Sequence, residues 1–207
     1  MSARTWRFKS SHPHSVTVAV VTNECQRGAI GDLALWPPLV EAASPMIPSL
    51  ARLIGAARDA EIPVLHCLAV RRADLRGASA NAPLFEVANR AGGLRAGTPA
   101  VELVSELGPA PTDLVFPKTH GVGSLRSTGV DAALRNLGVD EIVLTGVSVN
   151  VAIQALAFEA VNLGYRVTIP RDAVAGVPPS YADEVMKNTL SLVATLTTVD
   201  ELLARWG

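Results

Sequence analysis

This chain lacks any excess of charge of one sign. Its 18 basic and 19 acidic side chains leave a formal net charge of -1 over 207 residues, so it offers no electrostatic footprint to nucleic acid or to an anionic membrane. Cysteine is nearly missing too. Cys25 and Cys67 are the only two, too few for a disulfide framework and suited to a reducing cytoplasm. No segment approaches the roughly 18 consecutive apolar residues of a membrane span, and the apolar run at 16–21 is too short for a signal-peptide core. The sequence holds no internal repeat, low-complexity tract or domain linker. What remains is an ordinary globular composition, 49% hydrophobic and 18% charged, with enough length for a sizeable core. The expectation is one cytoplasmic domain over residues 16–207, behind a polar, basic arm at 1–15 whose Trp6 and Phe8 pack on the body or on a second subunit.

The stretch 145–172 organises the pattern. An apolar run at 141–144 precedes Thr145-Gly-Val-Ser-Val-Asn150, a helical segment follows, and a second apolar run closes at 165–169. Strand, sharp turn, helix and strand make a parallel-sheet crossover. The turn opens a helix, so its backbone N–H groups face a place where an anion or a polarised oxygen can sit. Further strands are predicted at 16–21, 62–70, 113–117 and 194–198. Helices are predicted at 49–60, 98–107, 129–137 and 180–193, with a last helix capped by Thr198. Residues 30–48, rich in Pro and Gly, are expected to be a long loop, and 71–97 a lid or mobile segment. Strands alternating with helices along the whole length imply a three-layer α/β/α fold. Its sheet is expected to be mostly parallel and doubly wound (Rossmann-like), with about six strands.

Polar groups appear abruptly where three strands end: Glu24 after the first, Lys118 after the third, and the Gly146–Asn150 turn after the fourth. In a doubly wound sheet these ends are neighbours, and ligands bind beyond them. A carboxylate and an ammonium brought together there hold each other ionised. Two readings stay open: a pair that moves a proton or orients a substrate, and a structural ion pair closing the sheet end.

These residues resemble the isochorismatase-like hydrolase superfamily, which includes nicotinamidases, carbamoylsarcosine amidases and isochorismatases. Glu24-Cys-Gln26 resembles that family's strand ending in Asp-x-Gln. Gly97-Thr-Pro, Glu102-Leu and Asp113-Leu-Val-Phe-Pro-Lys118 resemble the segment leading to its lysine. Leu125 and Thr128 fall where it has Phe and Thr. Thr145-Gly-Val-Ser, Leu163-Gly-Tyr-Arg-Val and Asp172-Ala173 resemble its nucleophile turn and following strand. The resemblance implies an Asp, Lys and Cys triad with an oxyanion hole in the turn backbone. It also implies a cis peptide between Val147 and Ser148, and a homo-oligomer, dimer or tetramer.

The chain departs from that triad twice. The resemblance puts Ala152 at the nucleophile position, which excludes covalent cysteine catalysis there, and Glu24 at the acid position, one methylene longer than Asp. Lys118 is retained. Isochorismatases dispense with the cysteine: a carboxylate protonates a vinyl ether and water completes the hydrolysis. The resemblance therefore implies either hydrolysis of a small molecule by Glu24 and Lys118 without a thiol, or a catalytically inactive binding or scaffold protein. Gln26, His120, Val147 and Ser148 are the expected substrate-binding residues, with the N–H groups of Ser148 and Ala152 as the polarising cradle.

Other constellations are weaker. Gly146-Val-Ser-Val-Asn150 looks like a serine-hydrolase elbow, but His12, His14, His66 and His120 all precede Ser148, the reverse of that fold's order. Gly121-Val-Gly123 is a fragment of a dinucleotide fingerprint with Arg126 in place of the third glycine, so it reads as a flexible loop. No metal and no cofactor is expected, since His66 and Cys67 adjoin on a strand and point to opposite faces. His66 reads as a core or rim histidine and Cys25 as a small buried hydrophobe. His120 either lines the pocket or sits on the surface. Arg71 and Arg72 either recognise a substrate carboxylate or are solvated loop charges.

Overall fold

In the computed structural model, which describes residues 17–206, the first β-branched run forms β1 (Val18–Asn23). The arm expected at 1–15 lies outside the described residues. In chain order there follow α1 (Arg27–Ile30), α2 (Pro37–Ala43), α3 (Met46–Asp59), β2 (Val64–Ala69), α4 (Pro83–Ala91), β3 (Leu114–Lys118) and α5 (Val130–Asn136). Then come β4 (Glu141–Val147), α6 (Gln154–Asn162), β5 (Arg166–Pro170), β6 (Val174–Ala175), α7 (Pro179–Asn188), β7 (Thr195–Thr197) and α8 (Val199–Trp206).

The strands form one parallel sheet in the order β3-β2-β1-β4-β5-β7, and the two-residue β6 pairs with the end of β4. β2 and β4 are buried along their whole length, as expected of strands covered on both faces. One face packs against α5, α6 and α7 through Leu134, Leu156 and Val185. The other packs against α3 and α8 through Leu50, Leu53 and Leu202. This is the three-layer α/β/α fold. Thr198 caps α8 as the sequence suggests: its Oγ1 accepts from Glu201 N at 3.3 Å while Glu201 Oε2 accepts from Thr198 N at 3.1 Å. That reciprocal pair is a capping box.

Three expectations need correction. Residues 30–48 are not one loop, because α2 lies within them and α3 already starts at Met46. Pro37 and Pro38 sit in the first turn of α2, where a missing N–H costs nothing. Residues 98–107 are not a helix but two single tight turns, Pro99–Val101 and Ser105–Leu107. Between them the backbone is drawn out to the end of β1: Arg27 N donates to Glu102 O at 2.8 Å and Val104 N to Cys25 O at 3.1 Å. The segment 180–193 forms α7 only to Asn188, followed by the tight turn Leu190–Leu192. The segment 71–97 contains α4, and its two ends are tied together: Arg71 N donates to Leu94 O and Ala96 N to Arg71 O, at 2.8 and 2.7 Å.

Candidate active site at the carboxyl edge of the sheet

From β1 the chain moves outward through β2 and β3, then returns to place β4 on the other side of β1. The carboxyl ends of β1 and β4 therefore meet at the switch point, where an open α/β sheet leaves a crevice. Glu24, directly after β1, has φ +54, a left-handed conformation that costs a non-glycine residue about 1–2 kcal/mol. Neighbours hold it there. Its N–H donates to Cys67 O at 2.9 Å, and the next carbonyl, of Cys25, accepts from Val104 N. Lys118 ends β3 with its side chain only 3% exposed, and its Nζ donates to Glu24 Oε1 and to Val122 O, both at 2.8 Å. A buried ammonium without such partners would carry a large desolvation penalty.

The facing wall is built by β4 and the turn after it. Gly146 has φ +97, and a Cβ there would lie 2.3 Å from Asn23 O, so glycine is obligatory where β4 passes β1. The Val147–Ser148 peptide is cis, and Asn23 Nδ2 donates to Val147 O. Ile153 N reaches back five residues to Ser148 O at 3.0 Å, closing one wide π turn, Val149–Ile153, that leads into α6. Ala152 lies in this turn and brings only a methyl group.

Between these walls lies a cleft of about 290 Å³ lined by Glu24, Lys118, His120, Val147, Ser148 and Ala152. Trp36, Leu84, Phe85 and Leu94 form its apolar side, with Arg71 beside them. The structure thus brings together six of the seven residues singled out from sequence. Gln26 is the exception and is corrected. It is fully buried, and its amide bonds Ala69 O, Val101 O and Ala69 N. All three bonds fasten β1 to β2 and the segment after it, so nothing is left for a ligand.

Charge in the cleft is uneven. The Glu24 carboxylate is paired with Lys118. Desolvation lowers the Arg71 pKa, Glu24 raises it and Arg95 lowers it. Arg72 is elsewhere, exposed and paired with Asp74 at 2.8 Å. Both thiols are buried, and neither lines the cleft. Burial, with Glu24 and Cys67 nearby, pushes the Cys25 thiol far up, and burial pushes Cys67 up to about 12, whereas a reactive cysteine needs its thiolate. His66 is a core residue between Thr22 Oγ1 at 2.8 Å and Asp113 Oδ2 at 3.1 Å. Among the described residues no group of three or more His, Cys, Asp or Glu is placed to hold a metal ion.

Three supports were missed in the sequence. Asn23 carries Val147, Asn150 Nδ2 donates to Val177 O at 3.1 Å, and Glu159 on α6 accepts from Leu125 N at 3.1 Å. A Cβ on Gly123 would fall 2.0 Å from Glu159 Oε1. The Gly121–Gly123 segment is therefore a seat for that carboxylate, and it also delivers the Val122 carbonyl to Lys118. The available signal was the Gly-x-Gly three residues past the lysine and the single carboxylate of α6.

The family model for the isochorismatase domain matches residues 18–201. The chain belongs to the isochorismatase family. Among curated members it resembles the ureidoacrylate amidohydrolase RutB of Variovorax paradoxus, 38% identical over 72 residues, which is 35% of this chain and 28% of that protein. The RutB of Stutzerimonas stutzeri is 25% identical over 206 residues, covering 93% of this chain and 82% of that protein. Among solved structures, an isochorismatase family protein from Desulfovibrio vulgaris is 27% identical with a TM-score of 0.79, covering 92% of this chain and all of the other. The first of the curated isochorismatase relatives is thus matched over well under half its length.

Proposed function

We propose that this protein is an isochorismatase-family hydrolase of a small molecule that works without a cysteine nucleophile. The observation that carries this is the Glu24–Lys118 pair at 2.8 Å in a cleft where Ala152 presents a methyl group. We assign Ala152 to the position of the family's nucleophile. Lys118 holds Glu24 Oε1, and among the described residues no hydrogen bond engages Oε2. That oxygen is the acid and base. With a vinyl ether, Glu24 in its acid form gives its proton to the terminal alkene carbon, whose π electrons form the new C–H bond. Water adds to the resulting oxocarbenium carbon and returns a proton to Glu24. The hemiketal then breaks its C–O bond to give a ketone and an alcohol. His120 and Ser148 are substrate contacts, and the N–H groups of Ser148 and Ala152 polarise the reacting oxygen.

The relatives named ureidoacrylate amidohydrolase make amides the second substrate class to try, with Glu24 activating water. The absence of any thiol or hydroxyl on Ala152 also favours a second reading, a binding protein that turns nothing over. Mass-spectrometric product assays on isochorismate and a panel of small amides separate the two. Turnover that falls about 100-fold or more in Glu24→Gln, the scale of general acid–base catalysis, supports the first reading, and turnover untouched by that change contradicts it. Saturable binding with no product supports the second. We further propose a cytoplasmic homo-oligomer. Exposed Phe158 and Val161 on α6 and Leu114 and Val115 on the edge strand β3 are candidate contact surface, and a monomeric mass by light scattering contradicts it.

A further inference from the structure

The groups lining the cleft do not balance in charge. One carboxylate, Glu24, faces two permanent cations, Lys118 and Arg71. Lys118 spends two of its three N–H donors on Glu24 Oε1 and Val122 O, and its charge is paired with Glu24. That of Arg71 is not. Among the described residues its guanidinium makes one hydrogen bond, from Nη1 to Gly93 O at 3.3 Å, and no carboxylate lies in salt-bridge range. The other arginine of the dipeptide, Arg72, turns out to solvent and takes Asp74 in a two-point pair. The backbone of Arg71 is fixed on both sides, N to Leu94 O and O to Ala96 N, so the fold places this residue at the cleft. Trp36, Leu84, Phe85 and Leu94 line the same cleft and offer apolar surface to a flat body.

We propose that Arg71 is a specificity-determining residue which selects substrates bearing a carboxylate. A carboxylate on an aryl or alkyl body would pair with its guanidinium while the body lies against the Trp36–Leu84–Phe85 wall. This rests on the cleft being the substrate site of the proposed hydrolase, and it adds the substrate class. A planar guanidinium with free N–H donors pairs a carboxylate through two parallel hydrogen bonds, which an ammonium cannot reproduce. Such a ligand would offset the Arg71 charge without disturbing Glu24 and Lys118, which remain free for the chemistry.

The test uses two probes of one shape, phenylacetate and its neutral counterpart phenylacetamide, titrated calorimetrically into wild type, Arg71→Met, Arg71→Lys and Arg72→Met. Quenching of Trp36 emission, lost in Trp36→Phe, locates the binding in the cleft. Wild type and Arg72→Met are expected to prefer the acid by about tenfold or more, the scale of a charge-assisted hydrogen bond. In Arg71→Met that preference falls to parity, chiefly through loss of affinity for the acid, and Arg71→Lys recovers only part of it. Thermal melts of the variants exclude a folding effect. Equal affinity for the two probes in wild type, no binding of either, or a preference that survives Arg71→Met overturns the proposal. Binding does not need turnover, so these outcomes stand apart from failure of the hydrolase assignment.

Discussion

Two acid–base networks sit at opposite ends of β3, and they are built differently. In one, Asp113 at the start of β3 accepts from Arg58 Nη2 at 2.6 Å, Arg58 Nε at 3.3 Å, Ala110 N at 2.9 Å and His66 at 3.1 Å. In the other, at the far end of β3, Glu24 accepts from Lys118 alone among the described residues. Asp113 has its hydrogen-bonding capacity filled and lies 1% exposed, whereas Glu24 keeps an oxygen free and is 25% exposed in a cleft. A saturated carboxylate fixes structure. One held by a single cation at a crevice is still available to a substrate. The same contrast explains the difference in backbone: Glu24 occupies a left-handed conformation, and such outliers concentrate at functional sites.

Substitutions can break this comparison on either side. The largest effect is expected from Glu24→Gln, which keeps an acceptor for Lys118 but removes the proton carrier. Turnover should drop by about 100-fold or more while the melting temperature changes little. Asp113→Ala is expected to do the opposite. It leaves Arg58 and His66 without their acceptor and should cost about 3 kcal/mol of stability by denaturant titration, with turnover per folded molecule retained. Gln26→Ala should resemble Asp113→Ala on a smaller scale, about 2 kcal/mol, because Ala69 N–H loses its buried acceptor. Gly123→Ala is smaller again. The Glu159 carboxylate is the end of a flexible side chain and can withdraw, but the Leu125 N–H bond goes with it, at about 1 kcal/mol.

A pH titration sharpens the same contrast. Burial is the main reason the His66 pKa lies below its ordinary value of 6.5, despite the pull of Asp113. The unfolded chain therefore binds a proton before the folded one does. The stability from neutral His66 is complete above about pH 6.5 and is lost as pH falls through the lowered folded value. Burial pushes the Asp113 carboxyl up, yet Arg58, the Ala110 amide and His66 together hold it below 3.8. Its contribution is thus present above that pH and disappears only in stronger acid. Chemical denaturation between pH 7 and 5 should show a falling stability that His66→Gln flattens.

Much of the fold was legible because its signals are local. The run at 16–21, the turn at 145–150 and the Thr198 cap each declare themselves within a few residues. The long strands emerged for the same reason, while β6, two residues long, is too short to leave a pattern. Errors arose where tertiary contact decides. Residues 98–107 have helical spacing but are drawn out by Arg27 and Cys25, and the prolines of α2 hid a helix they in fact start. At the cleft, Glu24, Lys118 and the turn stood out because chemistry-bearing residues ended predicted strands, and the structure places them together. Gln26 matched the resemblance in spacing, but its burial is invisible without Ala69 and Val101. Asn23 and Glu159 went unseen because their partners, Val147 and Leu125, are 124 and 34 residues away.

The most direct measurement is a paired one: turnover of isochorismate and the amide panel, and melting temperature, for wild type, Glu24→Gln and Asp113→Asn. Glu24→Gln is expected to stay folded and lose the product, while Asp113→Asn melts earlier and keeps its activity per folded molecule. Full turnover in Glu24→Gln would contradict this, and so would the loss of turnover in an Asp113→Asn protein that melts like wild type.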